Sequence, residues 1–128
     1  MERPQRLARK QEHRSAEFYG ARLVMKSGSG DSKGDAETDD EVFEFKHTQQ
    51  KGFRLALADW VRHKTVGIMT GKRPVWEVEY TKPDGSWPHY LVVVDRDDYL
   101  TMRDELAELR EEVAQQAKVL ASDWLKGR

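Results

Sequence analysis

The chain has no cysteine, which rules out disulfides, thiolate metal centres and a cysteine nucleophile. It has no apolar run approaching membrane length, and its first ten residues are polar and basic without an apolar leader core. With no disulfide framework and no secretory leader, a cytoplasmic setting is expected. Its four histidines share no ligand spacing, so a zinc site is not expected. No Gly-Lys-Ser/Thr ending follows any glycine-rich stretch, which excludes a Walker-type phosphate loop. A net charge of −1 argues, taken alone, against nucleic acid. The distribution argues the other way. Seven Lys/Arg against three acids occupy Met1–Lys26, and six against Asp59 alone occupy Lys51–Arg73. The acids gather in Asp31–Glu44 and in the C-terminal segment.

What is present fits one domain: 128 residues, with 38% hydrophobic content and four Trp and four Phe to fill a small core. Arg3–Tyr19 reads as a helix stopped by Gly20, and Ala21–Lys26 as a short strand with Leu23 and Met25 on one face. Gly34–Thr38 and Glu41–Thr48 read as a hairpin turning at Asp39-Asp40. Phe53–Val66 has helical spacing of Phe53, Leu57, Trp60 and Val61 as a core face, with Gly67 and Gly71 ending the helical region. Val75–Thr81 and His89–Asp95 are strands joined by the turn Lys82-Pro83-Asp84-Gly85. The continuously apolar Leu91–Val94 suggests a strand covered on both faces. Asp95–Leu125 is one long helix with Tyr99, Met102, Leu106, Leu109, Val113 and Leu120 at heptad spacing and Gln116 in the seam. Its second half extends past what so small a domain can cover, which suggests a partner helix. The pattern is an α/β domain with a mixed sheet of about five strands flanked by helices, with residues 1–95 as core and residues 96–128 as a C-terminal helix and dimerisation element.

The hairpin carries the chemistry. Strand alternation puts Glu44 and Lys46 on one face of 41–48 and Phe43 and Phe45 on the other. Folding back at Asp39-Asp40 brings Asp35 beside Glu44. Two carboxylates and an ammonium then converge, as metal-assisted phosphodiester cleavage requires. Asp35, Glu44 and the Phe45 carbonyl supply hard oxygen ligands for Mg²⁺ or Mn²⁺. The metal polarises the phosphate and generates hydroxide near neutral pH, while Lys46 orients water or stabilises transition-state charge. The alternative is a turn-capping Asp35 and a solvated Glu44–Lys46 pair worth a few tenths of a kcal/mol. His47 points away from this group and reads as structural. Glycine and serine in Ser27–Gly34 allow backbone amides to approach a phosphate, with Ser27 or Ser29 donating to it.

Asp35…Glu44-Phe45-Lys46 resembles the signature of the PD-(D/E)xK nuclease superfamily, with Gly34 where the family has proline. Gly28-Ser29-Gly30, Lys33-Gly34-Asp35 and Glu44-Phe45-Lys46 together resemble the small Holliday-junction resolvases of archaea and bacteriophages. That resemblance runs from about Arg9 to Val94 as an order of elements. It implies a restriction-endonuclease-like core, a helix glutamate completing the metal site (Glu12, with Glu17 as the alternative), and Mg²⁺- or Mn²⁺-dependent cleavage of branched DNA in recombination or repair. The catalytic set it implies is Glu12, Asp35, Glu44 and Lys46. Candidate DNA contacts are Arg9, Lys10, Arg14, Ser27, Ser29, Lys33, Gln50, Lys51 and Arg54. No membrane and no small-molecule cofactor is expected. Two opposed cuts on a two-fold junction favour a homodimer. The competing readings are a nuclease of the same fold for flaps, mismatches or duplex, and a non-catalytic DNA-binding or interaction module.

Overall fold

The computed structural model describes residues 4–25 and 34–127, with side chains from Arg6 onward. It divides into two units, residues 1–94 and 95–128. The first begins with α1 (Pro4–Tyr19), followed by β1 (Arg22–Leu23), β2 (Ala36–Glu37) and β3 (Glu41–Thr48). It continues through α2 (Leu57–Thr70), β4 (Arg73–Tyr80) and β5 (His89–Val94); α3 (Arg96–Lys126) is the second unit.

The five strands form one sheet in chain order. β1–β2, β2–β3 and β4–β5 pair antiparallel, whereas β3 and β4 pair parallel, from Glu41 opposite Arg73 to Thr48 opposite Tyr80. A parallel pair needs a long crossover, and α2 supplies it. The α/β architecture with a mixed five-stranded sheet is therefore as the sequence indicates.

Side-chain alternation gives the central strands two different faces. Phe43, Phe45 and Val75 form a buried cluster with Ala16 of α1 and Ala36. Tyr19 at the end of α1 stacks on Phe43 at 4.7 Å between ring centroids. On the opposite face Trp76 is met edge-on by Trp60 of α2 at 5.6 Å and by Phe53 at 6.3 Å. Fully burying each such ring stabilises the fold by roughly 1.5–3 kcal/mol.

Three local expectations are corrected. α2 starts at Leu57, not Phe53, and runs to Thr70. Its buried face is Trp60, His63, Val66 and Gly67, while Leu57 and Val61 are exposed. Apolar residues on two sides of this helix made its core face ambiguous. The connection to β4 decides it: a Cβ on Gly67 would stand 2.6 Å from the Lys72 carbonyl oxygen, so Gly67 must face the sheet. Gly71, in the left-handed region at φ 68°, closes the helix as its C-cap. Second, β1 is only two residues long, and Leu23 and Met25 are exposed. Third, β5 is an edge strand with Leu91 and Val92 more than half exposed, so its apolar run does not mark a strand covered on both faces.

α3 is a 31-residue helix capped at its start by Asp95, whose carboxylate accepts the Asp97 amide at 3.1 Å. None of its residues is buried.

Candidate active site

The β2–β3 hairpin forms because Thr38 organises its turn. The Thr38 hydroxyl accepts the Asp40 and Glu41 amides at 3.3 and 3.0 Å, and the Thr38 amide donates to the Glu41 carbonyl at 2.9 Å. Just before β2, Gly34 tolerates no side chain: a Cβ would lie 2.6 Å from a Val42 methyl and 2.8 Å from the Phe43 carbonyl oxygen. This close approach lets the Asp35 amide donate to the Phe43 carbonyl at 2.7 Å. The buried Asp35 carboxylate then accepts the Phe45 amide at 2.8 Å. Asp35 is thereby fixed across the hairpin against the backbone between Glu44 and Lys46.

Glu44 and Lys46 lie on the face of β3 that α2 covers. Their charged ends are 3.4 Å apart. Lys46 Nζ also stands 5.3 Å from the centroid of Trp76, a cation–π contact that holds the ammonium between a carboxylate and an aromatic face. Both side chains retain access to solvent, Glu44 at 22% and Lys46 at 35%. They open onto a recess of about 130 Å³ shared with Asp59, Arg62, His63, Val66 and Trp76.

His63 anchors the helix side of this recess. Its Nε2 lies 3.1 Å from the Val42 carbonyl oxygen and 3.0 Å from that of Val75. Carbonyls only accept, so Nε2 carries the proton and Nδ1 is the ring's basic nitrogen. Burial pushes its pKa below the ordinary imidazole value; the two carbonyl bonds and the Asp35 charge oppose that shift, and the Lys46 charge adds to it. The imidazole is neutral at neutral pH and pins α2 to β3 and β4.

Asp35 lies on the Phe45 amide at the hairpin, and Glu44 and Lys46 pair on the α2-covered face of β3. Glu12 is half-buried on α1, and its alternative Glu17 is exposed. Among the described residues, no three His, Cys, Asp or Glu side chains form a metal cage. Two carboxylates and a backbone carbonyl still suit Mg²⁺, which keeps most of its waters and takes its remaining ligands from substrate phosphate.

The candidate DNA contacts separate. Ser27, Ser29 and Lys33 lie outside the described residues, as does the Gly28-Ser29-Gly30 segment. Arg9 and Lys10 are exposed on α1, and Arg54 is exposed ahead of α2. Gln50 and Lys51 line an open groove of about 510 Å³ with Lys82, Trp87 and His89. Arg14 is committed elsewhere, ion-paired with Glu79.

That pair belongs to a buried polar network that sequence reasoning missed. Glu77 and Glu79 are 3% and 2% exposed on β4, on the face covered by α1. Glu77 accepts bonds from Gln11 at 3.3 Å and from the Ser15 and Tyr19 hydroxyls. Burial, then the bond to Glu77, raises the Tyr19 pKa well above the ordinary phenol value. Glu79 is held by Arg14, with His47 Nδ1 3.7 Å away and the His47 Nε2 bonded to Thr81 at 3.1 Å. His47 is structural and lies off the Glu44–Lys46 face, as alternation requires. The missed signal was available: Gln11, Arg14 and Ser15 share one helix face at i, i+3 and i+4, and Glu77 and Glu79 share one strand face at i and i+2.

No protein-family model and no curated protein sequence matches the chain.

Proposed function

We propose that the protein is a metal-dependent endonuclease with a restriction-endonuclease-like core, acting on branched DNA as a Holliday-junction resolvase in recombination or repair. The observation carrying this reading is the hairpin itself: Asp35 fixed on the Phe45 amide, with Glu44 and Lys46 paired at 3.4 Å and open to solvent. A purely structural hairpin has no need to bury an aspartate at this point beside a solvent-facing acid–base pair. The order of elements around it also supports the reading.

Asp35, Glu44 and the Phe45 carbonyl would hold Mg²⁺ or Mn²⁺. Glu12 stands on α1, which packs on the Phe43–Phe45 face of the sheet, opposite the Glu44–Lys46 face, so the expected helix glutamate is not placed with them. When bound, such an ion supplies Lewis acidity to the scissile phosphate and acidifies a water. The protein's own groups do the rest. Lys46, steered by Glu44 and by the Trp76 ring, stabilises charge that builds on the phosphate. Asp35 accepts the Phe45 amide and so fixes the strand backbone between Glu44 and Lys46. Trp76, Val66 and the neutral His63 line the recess, so the Lys46 charge acts in a medium less screened than bulk water. Lys51 and Gln50 at the end of β3 contact DNA backbone, with Arg9, Lys10 and Arg54 as further contacts and Ser27, Ser29 and Lys33 ahead of the hairpin.

The test is incubation of end-labelled four-way junction, flap and linear duplex of matched sequence with the protein and Mg²⁺ or Mn²⁺. Junction cleavage by nicks in opposed strands is expected, in preference to duplex. Equal cutting of all three would discard the resolvase reading and keep the nuclease. No cutting with either metal, together with retained DNA binding, would leave a non-catalytic DNA-binding module.

A further inference from the structure

We infer that α3 pairs with α3 of a second copy as a parallel, in-register two-stranded coiled coil. This goes beyond the nuclease reading and does not depend on it. The helix presents Tyr99, Leu106, Val113 and Leu120 at one heptad position, and all four are about half or more exposed. Met102, Leu109 and Gln116 fill the second seam position, Met102 at 37% and Leu109 at 57% exposed. Three heptads of alternating seam residues in an uninterrupted helix with no buried residue are the pattern of a coiled-coil strand. The mate that covers such a stripe is another stripe of the same spacing.

The flanking charges choose the orientation. With Tyr99, Leu106 and Val113 as position a, the e positions hold Arg103, Arg110 and Ala117. The g positions hold Asp98, Glu105, Glu112 and Val119. In a parallel pair each g residue meets the e residue of the next heptad on the mate. Asp98 then meets Arg103 of the second copy, and Glu105 meets its Arg110. Val119 meets Trp124, an apolar contact. Antiparallel packing would set e against e and g against g, placing arginine beside arginine and glutamate beside glutamate. Like charges so placed select against the arrangement. Gln116 adds a polar layer that penalises shifted registers.

The parallel choice has a consequence for the whole molecule. Residues 1–94 of both copies precede the same end of the coil. An antiparallel pair would instead place them at opposite ends of a helix about 46 Å long, at 1.5 Å rise per residue over its 31 residues.

The absence of native cysteine makes the test direct. Met102→Cys and Leu120→Cys, made separately in the full chain, should each form an interchain disulfide under mild oxidation, because parallel register sets each residue against its own copy. An antiparallel pair can bring at most one of the two positions to its own mate. Light scattering should give a dimer for the parent chain and a folded monomer for Leu109→Glu/Val113→Glu. A monomeric parent, or a dimer in which either cysteine position fails to cross-link, would overturn the inference.

Discussion

Glu77 offers the sharpest energetic prediction. Replacing it with leucine removes the acceptor for three side chains of α1 while keeping a similar volume on β4. Gln11 is completely buried and Ser15 is 3% exposed, so neither donor regains water in the folded state. Each orphaned donor costs about 1–3 kcal/mol. Tyr19 is half-buried and recovers part of its hydration. Relief of the desolvation of the Glu77 carboxylate offsets some of this loss. The net expectation is destabilisation by about 3 kcal/mol, a large share of the roughly 5–15 kcal/mol typical of a domain. Urea unfolding followed by tryptophan emission in a Trp124→Phe background reads out the sheet domain without α3. A change below about 1 kcal/mol would refute the claim that Glu77 fastens α1 to the sheet, and the hydrogen bonds of Gln11, Ser15 and Tyr19 would carry no net energy.

Further predictions come from other parts of the molecule. His47 and His63 both have pKa values pushed below 6.5, chiefly by burial. The unfolded chain then takes up protons first on acidification, so their contribution is complete above pH 6.5 and declines as pH falls from 6.5 toward their depressed folded values. A urea-midpoint series from pH 8 to pH 5 should show that decline, and its absence in a His63→Gln variant would identify His63 as the main source. Gly34→Ala should destabilise the hairpin by about 1–3 kcal/mol, because the new methyl meets backbone at the Phe43 carbonyl; unchanged stability would contradict the close approach. Lys46→Ala should lose turnover by about two to three orders of magnitude while metal affinity is kept, as expected for a group acting on transition-state charge; a matching fall in metal affinity would assign Lys46 to binding instead. Junction affinity should fall steeply with salt, and Lys51→Ala should lower the salt slope by about one.

The hairpin was legible in the sequence because each signal there was local. Asp39-Asp40 marked the turn, and period-two alternation in Glu41–Thr48 fixed which residues share a face. Heptad spacing likewise gave the length of α3 to within a residue at each end. The readings that failed depended on partners distant in sequence. The buried face of α2 is set by where Gly67 must pass Lys72 and Pro74, which helical periodicity alone does not encode. Leu91–Val94 looks like a central strand by composition, but strand order places it at an edge. Nothing in the strand itself singles out Glu77 and Glu79; their burial follows only when α1 lies over them with Gln11, Arg14, Ser15 and Tyr19. Trp76 and His63 enter the candidate site only because a parallel β3–β4 pair sets Trp76 beside Glu44 and brings His63 over both strands.

The central claim is that Asp35, Glu44 and Lys46 form a catalytic centre and not a structural pin. Asp35→Asn separates the two roles, because an asparagine oxygen can still accept the Phe45 amide while the carboxylate charge is lost. The decisive measurement is single-turnover cleavage of a labelled four-way junction by the parent and by Asp35→Asn in Mg²⁺, with junction binding measured in parallel. The account predicts that cleavage by the variant is abolished while its binding is equal or tighter, since a charge that repels phosphate has been removed. Cleavage by Asp35→Asn at the parent rate would contradict it.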